Sequence, residues 1–221
     1  MRYLYSALFY LLLPVVLLRM LLRSRQAPAY RHRLAERCGV FRIPEALLGE
    51  PVIWVHAVSV GETLAAAPVI ESLLRDHPGH RLVVTTTTPT GSERVRALFG
   101  DNVFHVYAPW DLPDAMRRFL RQLRPQLLLI METELWPNML HYCHEAGCRV
   151  VLANARLSER SARGYARFAG LTRDMLRRLD VVACQAQADG ERFLQLGLPP
   201  SALQITGSIK FDLELGAELR S

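Results

Sequence analysis

Lysine is almost missing from this sequence. Of 27 basic residues all but Lys210 are arginine. Cysteine is scarce too: Cys38, Cys143, Cys148 and Cys184 are too few and too scattered for a disulfide framework, and no Cys-x-x-Cys occurs. A reducing compartment is therefore the default. There is no Gly-x-Gly and no Gly-Lys-Ser/Thr step, which excludes the dinucleotide fingerprint and the P-loop. Acids are depleted in one region. Between residues 1 and 42, eight arginines face the single acid Glu36, a net +7, while the rest of the chain carries 19 basic and 20 acidic groups. The overall charge of +6 and the pI of 9.5 thus describe a basic collar on a nearly neutral body, and they give no argument for nucleic-acid binding. With 50% hydrophobic and 22% charged residues over 221 positions, disorder is excluded and one domain plus an appendage is the expected size class.

The appendage is at the start. Residues 3–18 are uncharged, and Arg19 is followed by Met20, Leu21 and Leu22. A spanning helix takes about 20 apolar residues, range ~17–25, so this stretch sits at the lower edge. No small-x-small cleavage site follows it, and a run of arginines does, which argues against a secretory signal peptide. Seven arginines directly behind the apolar stretch place that side in the cytoplasm. Pro14 is expected to kink the helix. The expectation is an uncleaved inner-membrane anchor over 1–22, then a basic collar and linker over 23–50, suited to anionic lipid and holding a short helix at 30–38.

From residue 51 to 212, short β-rich runs alternate with amphipathic stretches. Strands are expected at 52–58, 82–87, 103–107, 127–131, 150–154, 180–184 and 203–206, and helices at 62–75, 92–99, 113–124, 137–146, 158–179 and 188–196. Runs such as 127–131 are apolar throughout, as in a parallel sheet covered on both faces. The alternation implies βαβ units and an α/β, Rossmann-like sheet, whose ligands sit beyond the carboxyl ends of the strands.

Several residues stand at those ends. Ser59-x-x-Glu62 fits a capping box equally with a carboxylate poised as general base, and Gly61 would let a substrate approach that turn. His56, inside the preceding strand, is expected to be a core histidine. Glu132 and Glu134 follow a fully apolar strand; alternation places them on one side of an extended chain, with Glu134 the better candidate to cap the next helix. Trp136 either stacks on a sugar or packs beneath the crevice. Arg156, Ser158 and Arg160 stand at a helix start, either as a phosphate or carboxylate site or as a solvated turn. The Thr85–Thr90 run fits helix capping better than an anion nest. His141, Cys143, His144 and Cys148 follow no standard metal spacing.

Five motifs occur in order: His56-Ala57-Val58-Ser59-Val60-Gly61-Glu62; Thr86-Thr87-Thr88-Pro89-Thr90-Gly91; Met131-Glu132-Thr133-Glu134-Leu135-Trp136-Pro137-Asn138; Asn154-Ala155-Arg156-Leu157-Ser158; and Gly207-Ser208-Ile209-Lys210-Phe211-Asp212. With the apolar start, they closely resemble the 3-deoxy-D-manno-octulosonic acid (Kdo) transferases of Gram-negative bacteria. The resemblance implies the N-terminal domain of an inverting GT-B glycosyltransferase that moves Kdo from CMP-Kdo to a lipid A precursor at the cytoplasmic face of the inner membrane, without a divalent metal or other cofactor. It implies Glu62 as proton acceptor, and Glu132 and Lys210 as transition-state stabilisers. Ser59, Gly61, Trp136, Arg156, Ser158 and Arg160 then become acceptor-binding candidates. The resemblance also implies a second, CMP-binding domain, so 213–221 is expected to begin an interdomain linker and this chain to be the acceptor half. The alternative is a non-catalytic, membrane-tethered module that binds the lipid acceptor.

Overall fold

The computed structural model describes residues 1–25, 27–45 and 49–209. Lys210, Phe211, Asp212 and the expected linker 213–221 lie outside the described residues. Seven strands form one parallel sheet: β1 (Val52–His56), β2 (Arg81–Thr86), β3 (Phe104–Tyr107), β4 (Pro125–Met131), β5 (Arg149–Ala155), β6 (Val181–Cys184) and β7 (Leu203–Ile205). Their order is β3-β2-β1-β4-β5-β6-β7. All seven expected strands are present, within a few residues at each end. Helices α3 (Val60–Asp76), α4 (Pro89–Phe99), α5 (Pro113–Leu123), α6 (Pro137–Glu145), α7 (Glu159–Ala166), α8 (Ala169–Leu176) and α9 (Gln187–Gln195) provide the crossovers. Among the described residues two α-helices precede the sheet, α1 (Arg2–Arg23) and α2 (Leu34–Arg37).

Strand periodicity divides the core into two layers. Val52 and Trp54 point to the α5–α6–α8 face, where the Trp54 ring lies 4.8 Å from that of Phe119. Ile53 and Val55 point to the other face, against Ala66 and Ile70 of α3 and Val95 of α4. Helix α5 shows why such segments become helices here. Ala115, Met116, Phe119, Leu120 and Leu123 recur at three- and four-residue spacing and are buried, while Arg117 and Arg121 face out. Each large buried apolar side chain stabilises the fold by about 1.5–3 kcal/mol.

The elements depart from expectation in four places. The stretch 158–179 is two helices, because Arg167 and Phe168 close tight three-residue turns on Gly164 and Tyr165. The Thr172 hydroxyl donates to the Tyr165 carbonyl at that break (2.8 Å). Helix α4 starts three residues early, since Thr88 accepts from Gly91 N (3.1 Å) as N-cap and Pro89 takes the first helical position. The collar helix is reduced to a 3-10 turn (Pro28–Arg31) and α2, separated by Arg33 in the left-handed region (φ 60°). Helix α1 runs unbroken through Pro14, which sits on its exposed side.

The collar arginines are also not all free for lipid. The half-buried Arg33 holds Glu36 (2.6 Å) and donates to the His105 carbonyl (2.8 Å), and buried Arg37 donates to the Thr87 carbonyl (2.8 Å) while lying over the Tyr107 ring. These two fasten α2 to β3 and to the end of β2.

Candidate active site

From β1 the chain crosses to β2 on one side, and from β4 it crosses to β5 on the other, so a crevice opens beyond the carboxyl ends of the two central strands. The β1 end runs through Val58 and Ser59 into α3. Ser59 is the N-cap, its hydroxyl oxygen accepting from Glu62 N (3.3 Å). The Glu62 carboxylate returns the bond, accepting from Val58 N (2.8 Å) and from the Ser59 hydroxyl (2.9 Å). The capping box is therefore built in a variant form, with the returning bond taken from the residue before the cap rather than from the N–H of Ser59 itself. It uses two of the roughly four acceptor positions of a carboxylate, which leaves capacity for a substrate hydroxyl. Glu62 is buried, and that burial pushes its pKa above the usual carboxylate range. Val58 N–H and the Ser59 hydroxyl pull it back down, and the charges of Glu134 and Glu132 add to the rise. Gly61 has no conformational need to be glycine: a Cβ there would meet nothing nearer than Ser59 Oγ at 3.9 Å.

The end of β4 brings the other two acids. Glu132 follows Met131 directly and adopts a left-handed backbone (φ 58°), its N–H donating to the Ala153 carbonyl (2.9 Å). Such a conformation costs a non-glycine residue about 1–2 kcal/mol. This turn breaks the strand alternation, so Glu132 and Glu134 do not share one side of an extended chain. Nor does Glu134 cap the next helix. Its carboxylate accepts from Trp136 Nε1 (2.9 Å), and α6 is capped from a distant loop by Asp111, which accepts from Asn138 N (3.0 Å) and Met139 N (2.7 Å). Trp136 is half-buried and edge-on to His56, with ring centroids 4.7 Å apart, so it packs under the crevice. His56 is a core histidine: fully buried, paired through Nδ1 with Thr85 Oγ1 (2.8 Å), and held neutral because burial drives its pKa down to about 3.

Strand β5 ends beside β4, Met131 pairing with Ala153. Asn154, the residue after Ala153 and near the end of β5, is also left-handed (φ 54°). Asn154 accepts from Ile209 N through Oδ1 (3.3 Å), which fastens the segment leading to position 210 at the end of β5. Its Nδ2 is buried without a hydrogen-bond partner among the described residues. Asparagine tolerates the left-handed region through its short polar side chain, the one signal in the sequence that could have marked this position. The Thr133 hydroxyl donates to the Arg156 carbonyl and ties the β4 and β5 loops together. Ser158 caps α7, accepting from Ser161 N (3.2 Å), and Arg156 and Arg160 are exposed next to it. Glu62, Glu132, Ser59, Gly61, Trp136, Arg156, Ser158 and Arg160 thus lie at the carboxyl ends of β1, β4 and β5. Among the described residues no three His, Cys, Asp or Glu side chains are grouped as metal ligands.

An apolar groove of about 570 Å³ runs between α1 and the α7–α8 pair. Leu4, Leu8, Leu135, Tyr165, Phe168 and Met175 are among its walls. Leu135 belongs to the same loop as Glu132 and Glu134.

A parallel sheet in this order, with its acids at the central crevice, defines a class: a Rossmann-like α/β domain of the kind found in the GT-B fold. Solved structures share the fold. UDP-GlcNAc 2-epimerase from Neisseria meningitidis bound to UDP-GlcNAc superposes with a TM-score of 0.56 at 16% identity, over 76% of this chain and 50% of that one. The family model for 3-deoxy-D-manno-octulosonic-acid transferase (kdotransferase) matches residues 32–213, and the chain belongs to that family. It is 43% identical to the 3-deoxy-D-manno-octulosonic acid transferase of Haemophilus influenzae, over 99% of this chain and 51% of that protein. The transferase of Bordetella pertussis is 39% identical, over 95% and 50%. The chain spans about half the length of these curated relatives.

Proposed function

We propose that this chain is the acceptor-binding half of an inverting glycosyltransferase that moves Kdo from CMP-Kdo to a lipid A precursor at the cytoplasmic face of the inner membrane. The observation that carries the proposal is the gathering of Glu62, Glu132 and Glu134 at the crevice, with Glu62 buried and its pKa raised. A carboxylate in that state is a better base than one in water. Glu62 takes the proton of the acceptor hydroxyl as that oxygen attacks the anomeric carbon, and the bond to CMP breaks with its electron pair leaving on the phosphate. Lys210 would offset charge on the departing phosphate or the sugar carboxylate. Glu132 would orient a cation, Lys210 or Arg156. No divalent metal is assigned a role.

Membership of the family and the apolar groove support a lipid acceptor, and the groove has room for acyl chain. Gly61 leaves open space where the acceptor sugar would come close to α3. Arg156, Ser158 and Arg160 would meet its phosphate. CMP-Kdo would be held by a partner domain corresponding to the rest of the relatives' length, because donor and acceptor must be oriented together for transfer.

The completed capping box favours a second reading, in which Glu62 is structural and the chain only binds lipid. A transfer assay with labelled CMP-Kdo, on this chain alone and with the C-terminal half of a family member, separates the two. Transfer only in the mixture supports the enzyme reading. Retained binding of lipid A precursor with no transfer in either case overturns it.

A further inference from the structure

Helix α1 is 22 residues long, about 33 Å at ~1.5 Å per residue, so length alone permits it to cross a bilayer. Its contacts argue otherwise. Arg2, Tyr5, Ser6, Phe9, Leu13, Val16, Met20 and Ser24 are half-buried or buried, one or two per turn, so the less exposed residues form one stripe, which meets α6 at the first turns and the Pro28–Arg31 turn at the last. The first turns are bonded to the body. Arg2 donates to Asn138 Oδ1 (3.0 Å) and to the Tyr142 hydroxyl (3.3 Å). The Ser6 hydroxyl oxygen accepts from Asn138 Nδ2 (3.0 Å), Tyr5 is hydrogen-bonded to Asp111, and Tyr10 to Asp114. Asn138 and Asp111 are themselves buried. A spanning α1 would carry Arg2 and Ser6 to the far side of the membrane, or into it, and leave Asn138 short of partners, which costs about 1–3 kcal/mol per orphaned group. The opposite stripe, Leu4, Leu8, Leu11, Leu12, Val15 and Leu18, is exposed and apolar. Arg19, Arg23 and Arg25 stand exposed at its end.

We infer that α1 does not cross the membrane: it stays docked on α6 and lies in the plane of one leaflet of anionic lipid, with Met1 and the body on the same side. This rests on the reading of α1 as a membrane anchor and goes beyond it. The outer stripe enters the acyl region while the arginines meet acidic headgroups, the arrangement of an interfacial helix rather than a span.

The test places an epitope before Met1, which is exposed, and treats intact spheroplasts and inverted membrane vesicles with protease. The expected result is that the chain floats with membranes and the epitope is cut only in inverted vesicles. Cutting in spheroplasts, with the chain still floating, overturns the in-plane inference and leaves the anchor reading standing. A chain that does not float overturns both. A second variant, Ser6→Cys with Asn138→Cys, is oxidised in membranes. A cross-link supports the docked helix, and two reactive thiols that never cross-link overturn it.

Discussion

Replacing Glu62 by glutamine separates the capping role its carboxylate has in the structure from the proposed role as general base. Glutamine keeps one oxygen to accept from either Val58 N or the Ser59 hydroxyl, and capping boxes tolerate it at this position. Its amide then faces a donor where an acceptor stood, at a cost of about 1–3 kcal/mol. Part of that is offset, because a buried charge with two acidic neighbours is removed. A net loss of about 1 kcal/mol lowers Tm by roughly 2–4 °C in a protein of this size. Loss of a general base, by contrast, lowers turnover by about 10²–10⁴-fold, or roughly 3–5 kcal/mol of barrier. The assays are thermal unfolding of Glu62→Gln and Kdo transfer by the same variant joined to a donor half. A small Tm change with a hundredfold or greater fall in kcat is expected. Turnover within about threefold of wild type would refute the argument and leave Glu62 as a cap only.

The acidic limb of kcat/KM should fall at a pH above the ordinary glutamate pKa of about 4.3, because burial and the neighbouring acids raise Glu62 and a base works only when unprotonated. Glu134→Gln should move that limb down, and an unmoved limb in the pH–rate profile removes the coupling. Asp111 is raised from 3.8 to about 6 by burial, against the Asn138 and Met139 N–H groups. Its proton is bound more tightly in the folded state, so this contribution to stability is full below about pH 4 and is lost as pH rises through 6, by on the order of 3 kcal/mol. Asp111→Asn should therefore flatten the Tm-against-pH curve between pH 4 and 6, and a slope equal to wild type would discount the group. Gly61→Ala should leave Tm equal or higher, since its Cβ meets no close neighbour and alanine favours helix by up to about 1 kcal/mol. Its KM for the lipid acceptor should rise, and an unchanged KM takes Gly61 out of the site.

What the sequence disclosed was whatever rests on short-range periodicity. Apolar runs such as Leu127–Met131 mark the strands because both faces of a parallel sheet are covered. The residues directly after them mark the crevice because strand ends are where the chain turns. Glu62, Glu132 and Arg156 were reachable by that route. Asp111 was not. It reaches α6 from a loop 27 residues earlier, and no local pattern announces a cap supplied from another crossover. The failed alternation at Glu132 has the same origin, since a left-handed residue looks like any other glutamate in a sequence. The break between α7 and α8 was hidden because a pattern of small and basic residues fits one long helix as well as two short ones. Arg33 and Arg37 were counted with the lipid-facing collar, and only tertiary contacts reveal that they are bound to the body.

The stretch from Glu132 to Asn138 connects two features that the sequence presents far apart. At one end Glu132 and Glu134 face the crevice and raise the pKa of Glu62. At the other, Asn138 holds Arg2 and Ser6 of α1 and is fixed by Asp111. Leu135 and Pro137, between them, line the apolar groove beside Leu4 and Leu8. Seven consecutive residues thus set how far the carboxylates stand from α1. Under the proposed function this spacing is a ruler: an acceptor with its acyl chains in the groove would present a headgroup hydroxyl at a fixed distance from Glu62. A one-residue deletion in this stretch would leave the sheet and α6 to form separately yet misplace one relative to the other. A loss of transfer with lipid binding retained is the outcome that the geometry requires.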